Sequence, residues 1–158
     1  MVWLKRIGAV AFVAAVIWVL GWGYWHFKIL SAIDGLDTGA KWEPPGKEPP
    51  FLIPQSNADE IQTAGTRALP YLANSLSTKR SVVYLLVAGE WLRQWLAEKD
   101  PTLRIRGFHL DDQPSDVESK IAEHKAAWKR IGEPRHKGWM WWKVEDLPQQ
   151  VYASGYIR

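Results

Sequence analysis

From Ile7 to Phe27 the chain carries no Asp, Glu, Lys or Arg. At ~1.5 Å per residue, a helix of that length crosses a ~30 Å hydrocarbon core. Lys5 and Arg6 precede the run and Lys28 follows it. Trp18, Trp22, Tyr24, Trp25 and Phe27 crowd its second half. Trp18, Trp22 and Trp25 are the candidate membrane-interface aromatics, because an indole joins an apolar ring to an N–H that wants a polar partner. The helix is expected to continue through Ile29, Leu30 and Ile33 and to stop at Gly35. A cleaved signal peptide is the competing reading. The run exceeds the ~7–15 apolar residues of a signal core, and bulky aromatics stand where small cleavage-site residues belong. The expectation is a retained single-pass anchor in an inner or cytoplasmic membrane. The basic N-terminal flank puts the N-terminus in the cytoplasm and the C-terminal domain in the periplasm or outside the cell.

Four segments follow from the rest of the pattern. Residues 1–37 are the anchor and its extension. Residues 38–55 read as a linker, since Pro44, Pro45, Gly46, Pro49, Pro50 and Pro54 favour extended polyproline II chain. Residues 56–134 read as a small helical domain, and 135–158 as a Trp-rich tail. In the domain, Ser56 or Asn57 is expected to cap a short first helix, with Asp59 and Glu60 in its first turn, ending at Gly65. A second helix starts near Thr66, carries Pro70 early and shows Leu69, Leu72, Ala73 and Leu76 on one face, with Lys79 and Arg80 closing it. A third, from about Ser81 to Ala97, has so wide an apolar stripe that it should be the most buried. Leu103-Arg104-Ile105-Arg106 alternates as an exposed strand or extended loop would. Ser115-Asp116-Val117-Glu118 matches a capping box for a fourth helix, whose apolar face is Val117, Ile121, His124, Trp128 and Ile131. Asp116 and Lys120 are placed to pair on its exposed face. Gly132 and Pro134 should end it. The fold class is mainly α: one transmembrane helix followed by a small helical domain.

Composition narrows the chemistry. The 158 residues contain no cysteine, which excludes disulfides, thiolate nucleophiles and zinc–thiolate sites. The net charge of +3 is too small to imply nucleic acid. Tryptophan is the excess residue, at 11. No Gly-x-Ser-x-Gly turn or phosphate-binding glycine loop occurs. His109, Asp111 and Asp112 are the compact cluster of metal-capable side chains, but they lack a second histidine at helical spacing and read as a polar loop. No cofactor is expected.

Ile61-Gln62-Thr63-Ala64-Gly65-Thr66-Arg67-Ala68-Leu69-Pro70-Tyr71-Leu72 resembles the turn of a HEAT repeat, in which one helix ends on glycine and the next begins with a small residue, a proline and leucines. Ala126 to Pro134 resembles the end of another such first helix. The segment from about 58 to 134 is similar to the N-terminal part of membrane-anchored bacterial HEAT-repeat proteins. It departs from them in two ways. Gly65 and Gly132 are farther apart than the ~40–47-residue period, and no second helix follows Pro134. The resemblance implies a scaffold that binds other proteins and carries over no active site.

The tail mixes cations with rings: Arg135, Lys137, Trp139, Trp141, Trp142 and Lys143 are the candidate partner- or membrane-facing residues. Such a set suits a protein interface, an anionic lipid surface or a packed core; nucleic acid is not expected. The function these features favour is a non-catalytic, membrane-anchored interaction module, an accessory or scaffold subunit whose partners are lipid and other subunits of a membrane complex. The alternative is a subunit of a membrane enzyme or of a pigment or redox complex, contributing a helix or a cofactor ligand such as His26.

Overall fold

The computed structural model describes residues 2–37, 54–136 and 145–147, with side chains from residue 7 onward. The described residues are mainly helical and contain no strand. The first helix, α1 (Val2–Leu36), has two environments along its length. Between Ile7 and Leu20 every residue is exposed, apolar ones included. From Ile29 onward the pattern becomes amphipathic, and Ile29, Ala32, Ile33 and Leu36 are buried. These positions recur at three- and four-residue steps, so they form one stripe. That stripe is part of the core of the domain.

The stripe lies on α2 (Gln55–Ala64). Gly35 does not stop α1, which runs one residue further. Its function is close approach: a Cβ there would collide with the Asn57 side chain. A turn of 3-10 helix, Gly65–Ala68, then leads into α3 (Leu69–Ser75). Gly65 adopts φ 57° and ψ −143°, a conformation open essentially to glycine alone. Pro70 sits in the first turn of α3, where its missing N–H costs nothing. The second helix is shorter than the sequence suggests. Leu76 is extended, and Ser75 Oγ donates back to the Tyr71 and Leu72 carbonyls at the helix end. Lys79 and Arg80 therefore lie beyond it.

The next helix, α4 (Val82–Lys99), is capped by Ser81, whose hydroxyl accepts the Tyr84 N–H at 3.2 Å. Eleven of its residues are buried, as its wide stripe predicts. An extended loop follows, and α5 (Pro114–Ala127) packs against α4. The alternation in that loop is an extended segment rather than a strand: Leu103 and Ile105 lean on the core while Arg104 and Arg106 are exposed. Phe108, at its end, is buried over Gly89 of α4, in the space a Cβ would occupy. Gly89→Ala should gain ~1 kcal/mol of helix propensity but force Phe108 out at ~1–3 kcal/mol, so the net effect is destabilising. Thermal melting of the single and of Gly89→Ala/Phe108→Leu checks this. The second change should recover stability, and equal losses in both would show that the ring is not the obstacle.

Both proposed helix caps are displaced. In α5, Gln113 holds the cap position and Ser115 lies inside the first turn with no capping bond. Pro114, with φ preset for a first helical position, starts the helix one residue earlier, and the Gln113 carbonyl accepts the Asp116 and Val117 N–H groups. In α2 the Pro54 carbonyl likewise accepts from Asn57 and Ala58, so neither Ser56 nor Asn57 caps, and Asp59 and Glu60 fall outside the first turn. The end of α5 also differs. Trp128–Gly132 forms a turn of π-helix that passes into a short helix, α6 (Glu133–Arg135). Pro134 has no N–H for the Arg130 carbonyl, which loosens the helical register there.

Candidate functional site

Three regions gather the polar and aromatic chemistry: the junction where α1 meets the domain, the layer where the chain returns over the start of α3, and the inner face of α5. At the junction, Arg80 Nη1 lies 3.1 Å from both Asp34 and Asp37. Asp37 Oδ1 also accepts the Ser81 N–H at 2.7 Å, so a residue just beyond α1 caps the orphan N–H groups at the start of α4. Burial raises the Asp37 pKa, but the hydrogen bonds from Ser81 and Arg80 outweigh it and hold the carboxyl below its ordinary value. The contribution of Asp37 is therefore present above the usual carboxylate pKa of ~3.9 and is lost as pH falls through the lower folded value.

Above this clamp lies the aromatic end of the apolar run. Trp18 and Trp22 are exposed, at 40% and 44%. Trp25 is half-buried and packs on the core, with the Arg67 guanidinium 4.2 Å from its ring centre. Lys28 Nζ stands 5.9 Å from the same ring and 5.7 Å from that of Tyr24. His26 stacks on Trp22 at 5.1 Å, and its Nδ1 is 2.9 Å from the Tyr71 hydroxyl on α3. The sequence offered the rings; nothing local to it pointed to Arg67 or Tyr71.

On the far side, Thr66 is a hub for the returning chain. Its N–H donates to the Glu145 carbonyl at 3.0 Å, and its hydroxyl accepts the Glu145 N–H at 3.2 Å. Its carbonyl is 2.9 Å from His136 Nε2. Lys99 pairs with the Glu145 side chain at 2.9 Å, and Leu147 is buried in the core at 1% exposure. The described part of the tail thus folds back on the domain. Arg135 donates to the Lys99 carbonyl at 2.6 Å, closing the end of α4. Lys137, Trp139, Trp141, Trp142 and Lys143 lie outside the described residues. Leu147→Ala should cost ~2–5 kcal/mol, the range for an aliphatic side chain removed from a core. Equilibrium denaturation checks this, and an unchanged midpoint would mean that the return is ornamental.

A third cluster surrounds α5. Lys120 is buried, not exposed, and pairs with Asp112 at 2.5 Å rather than with Asp116. The reason is register: Lys120 falls on the same stripe as Val117, Ile121 and His124, which faces the core. Asp112 Oδ2 also accepts the His109 N–H at 2.9 Å, so this acid of the metal-capable cluster closes its own loop. Among the described residues, no group of three His, Asp or Glu side chains is placed to hold a metal.

His124 has no exposed surface, lies on Phe108 with ring centres 4.9 Å apart and is bonded through Nδ1 to the Lys120 carbonyl at 2.8 Å. Its Nε2 lies beside Gly89 and has no hydrogen-bond partner among the described residues. Burial drives its pKa below the ordinary imidazole value, against the pull of the two backbone groups and Glu123. Burial does the same to His136. The unfolded chain then binds more protons than the folded one below pH ~6.5, so stability falls as pH falls through that region. Denaturation midpoints at pH 8, 7, 6 and 5 should be level at first and then decline. His124→Gln should flatten part of the decline, and parallel curves for the two proteins would remove His124 as a cause.

No protein family, curated protein or solved structure matches the chain.

Proposed function

We propose that this chain is a non-catalytic, single-pass membrane-anchored interaction module, an accessory or scaffold subunit of a membrane protein complex. The observation that carries this reading is the continuity of α1. One helix is apolar and exposed on all sides from Ile7 to Leu20, and further along it Ile29, Ala32, Ile33 and Leu36 belong to the core of the domain. A domain built on the end of a membrane span is held at a fixed height and angle, which suits presentation of a surface to neighbours in the same membrane. The Gly65 turn between α2 and α3 supports a HEAT-like binding layer in residues 58–134, and the charge of the N-terminal flank supports a cytoplasmic N-terminus with the domain on the opposite side.

The test is isolation from gently solubilised membranes through a C-terminal tag, followed by native gel separation and mass spectrometry. Fixed-stoichiometry membrane partners are expected. A monodisperse chain that turns over an envelope substrate by itself would overturn the proposal. Visible absorbance from a bound haem or pigment that is lost in His26→Ala would favour the alternative, a cofactor-bearing subunit.

A further inference from the structure

Between α4 and α5 the chain runs through an extended segment bracketed by two hydrogen-bonded turns. Upstream, the Asp100 carbonyl accepts the Leu103 N–H, and the Asp100 side chain accepts the Thr102 N–H and hydroxyl. Downstream, the Asp112 N–H donates to the His109 carbonyl, and the Asp112 side chain accepts the His109 N–H. Residues 104–108 lie between the turns and make no backbone–backbone hydrogen bond among the described residues. The Arg106 N–H goes instead to the Glu123 side chain, at 3.4 Å. Side chains therefore hold this segment to the helices. Such segments open at a lower free energy than the helices they cover.

Phe108 is the deepest of those side chains. Its ring fills the space above Gly89 and stacks on the His124 ring, with the two planes 28° from parallel. It thus covers an imidazole that is fully buried. The charged groups nearby are engaged. On α4, Glu90 accepts from Arg93 and from Gln94, each at 2.7 Å. On α5, Glu123 accepts from Arg106 of the segment at 2.9 Å, and Lys120 pairs with Asp112. His109 is exposed. Glu123 attracts a charge on the His124 ring and Arg93 repels it, and burial outweighs both. What a protonated ring lacks here is water. Two of its walls are packed helices; the third is Phe108, carried by the loosely held segment.

We propose that residues 104–108 form an acid-released strap: protonation of His124 expels Phe108 from the slot between Gly89 and the imidazole, and the strap lifts while α4 and α5 stay packed. Burial keeps His124 neutral in the closed form. Once uncovered, the imidazole titrates near its ordinary value of ~6.5. Opening therefore takes up a proton and is favoured as pH falls below that value. The lifted strap turns a phenyl ring and an apolar slot toward solvent, a surface that the domain hides at neutral pH. Nothing in this switch depends on α1 spanning a membrane.

The probe is 4-fluorophenylalanine in place of Phe108, introduced at that one position of the full chain and read by fluorine NMR in mild detergent. Open and closed rings differ in chemical shift and in their response to heavy water. The ratio of open to closed should rise roughly tenfold between about pH 7.5 and about pH 5.5, the change that uptake of one proton at ~6.5 allows. Amide hydrogen exchange, corrected for pH, should show α4 protected throughout. His124→Gln should abolish the rise, whereas His136→Gln, which removes the other buried imidazole, should leave it intact. An unchanged ratio in the otherwise wild-type chain, or an equal rise in His124→Gln, overturns the proposal. So does loss of α4 protection in step with the fluorine signal, because the event is then global unfolding. A second readout does not need His124→Gln to fold. The His124 imidazole, followed by its own proton resonances, should titrate nearer ~6.5 in Phe108→Ala than in wild type; equal midpoints overturn the proposal as well.

Discussion

Trp91→Ala should lower the stability of the domain by about 3–5 kcal/mol, the range for a buried aromatic truncated to alanine. Trp91 is 3% exposed and lies on α4, the helix that packs against α3, α5 and the π turn. No single neighbouring helix can shift to fill the space without losing its contacts elsewhere. Against a total stability of ~5–15 kcal/mol for a domain, the loss is a third or more. Trp95 provides the contrast. It is equally buried, its ring meets Trp128 at 5.9 Å and Lys99 at 5.3 Å, and its indole N–H has no described partner. Trp95→Phe removes that N–H and keeps most of the ring, so it should cost much less than Trp91→Ala. Urea denaturation of the full chain in mild detergent measures both. A midpoint for Trp91→Ala within error of wild type would show that the indole does not hold the core.

Lys120→Met should cost a similar amount, about 3–5 kcal/mol, for an electrostatic reason. The pair with Asp112 is shielded on both sides, at 7% and 9% side-chain exposure. Removing one member of a buried pair strands the other charge in a poor solvent, whereas removing both charges can be nearly neutral. Asn is the useful replacement for Asp112, because its side-chain oxygen still accepts the His109 N–H. Lys120→Met/Asp112→Asn should therefore be more stable than Lys120→Met alone. A complete double-mutant cycle decides the matter: strictly additive losses would mean that the two side chains do not act as a pair.

The contrast between these two sites reflects what sequence patterns carry. The long apolar stretch of α1, the burial of α4 and the glycine turn at position 65 were all legible, because each depends on residues within a few positions of one another: an uncharged run, a three-and-four repeat, a backbone conformation needing glycine. Helix ends were less so. Ser115 fits a capping box, yet Pro114 beside it sets the start earlier, and two valid local signals competed. Lys120 was assigned to the surface by its charge, although its spacing from Val117 and His124 places it on the buried stripe; only Asp112, delivered by the loop, makes that burial tolerable. Arg67 over Trp25, Asp37 capping Ser81 and Glu145 paired with Thr66 join residues some 42 to 79 positions apart. Periodicity has no memory over such distances. The sequence by itself determined the helices, including the one long and apolar enough to cross a membrane, since those follow from local backbone and solvent preferences. The tertiary structure decided which helix face meets which, where the exposed apolar stretch of α1 ends and its buried stripe begins, and which charges lie together, since packing alone brings those groups within reach of one another.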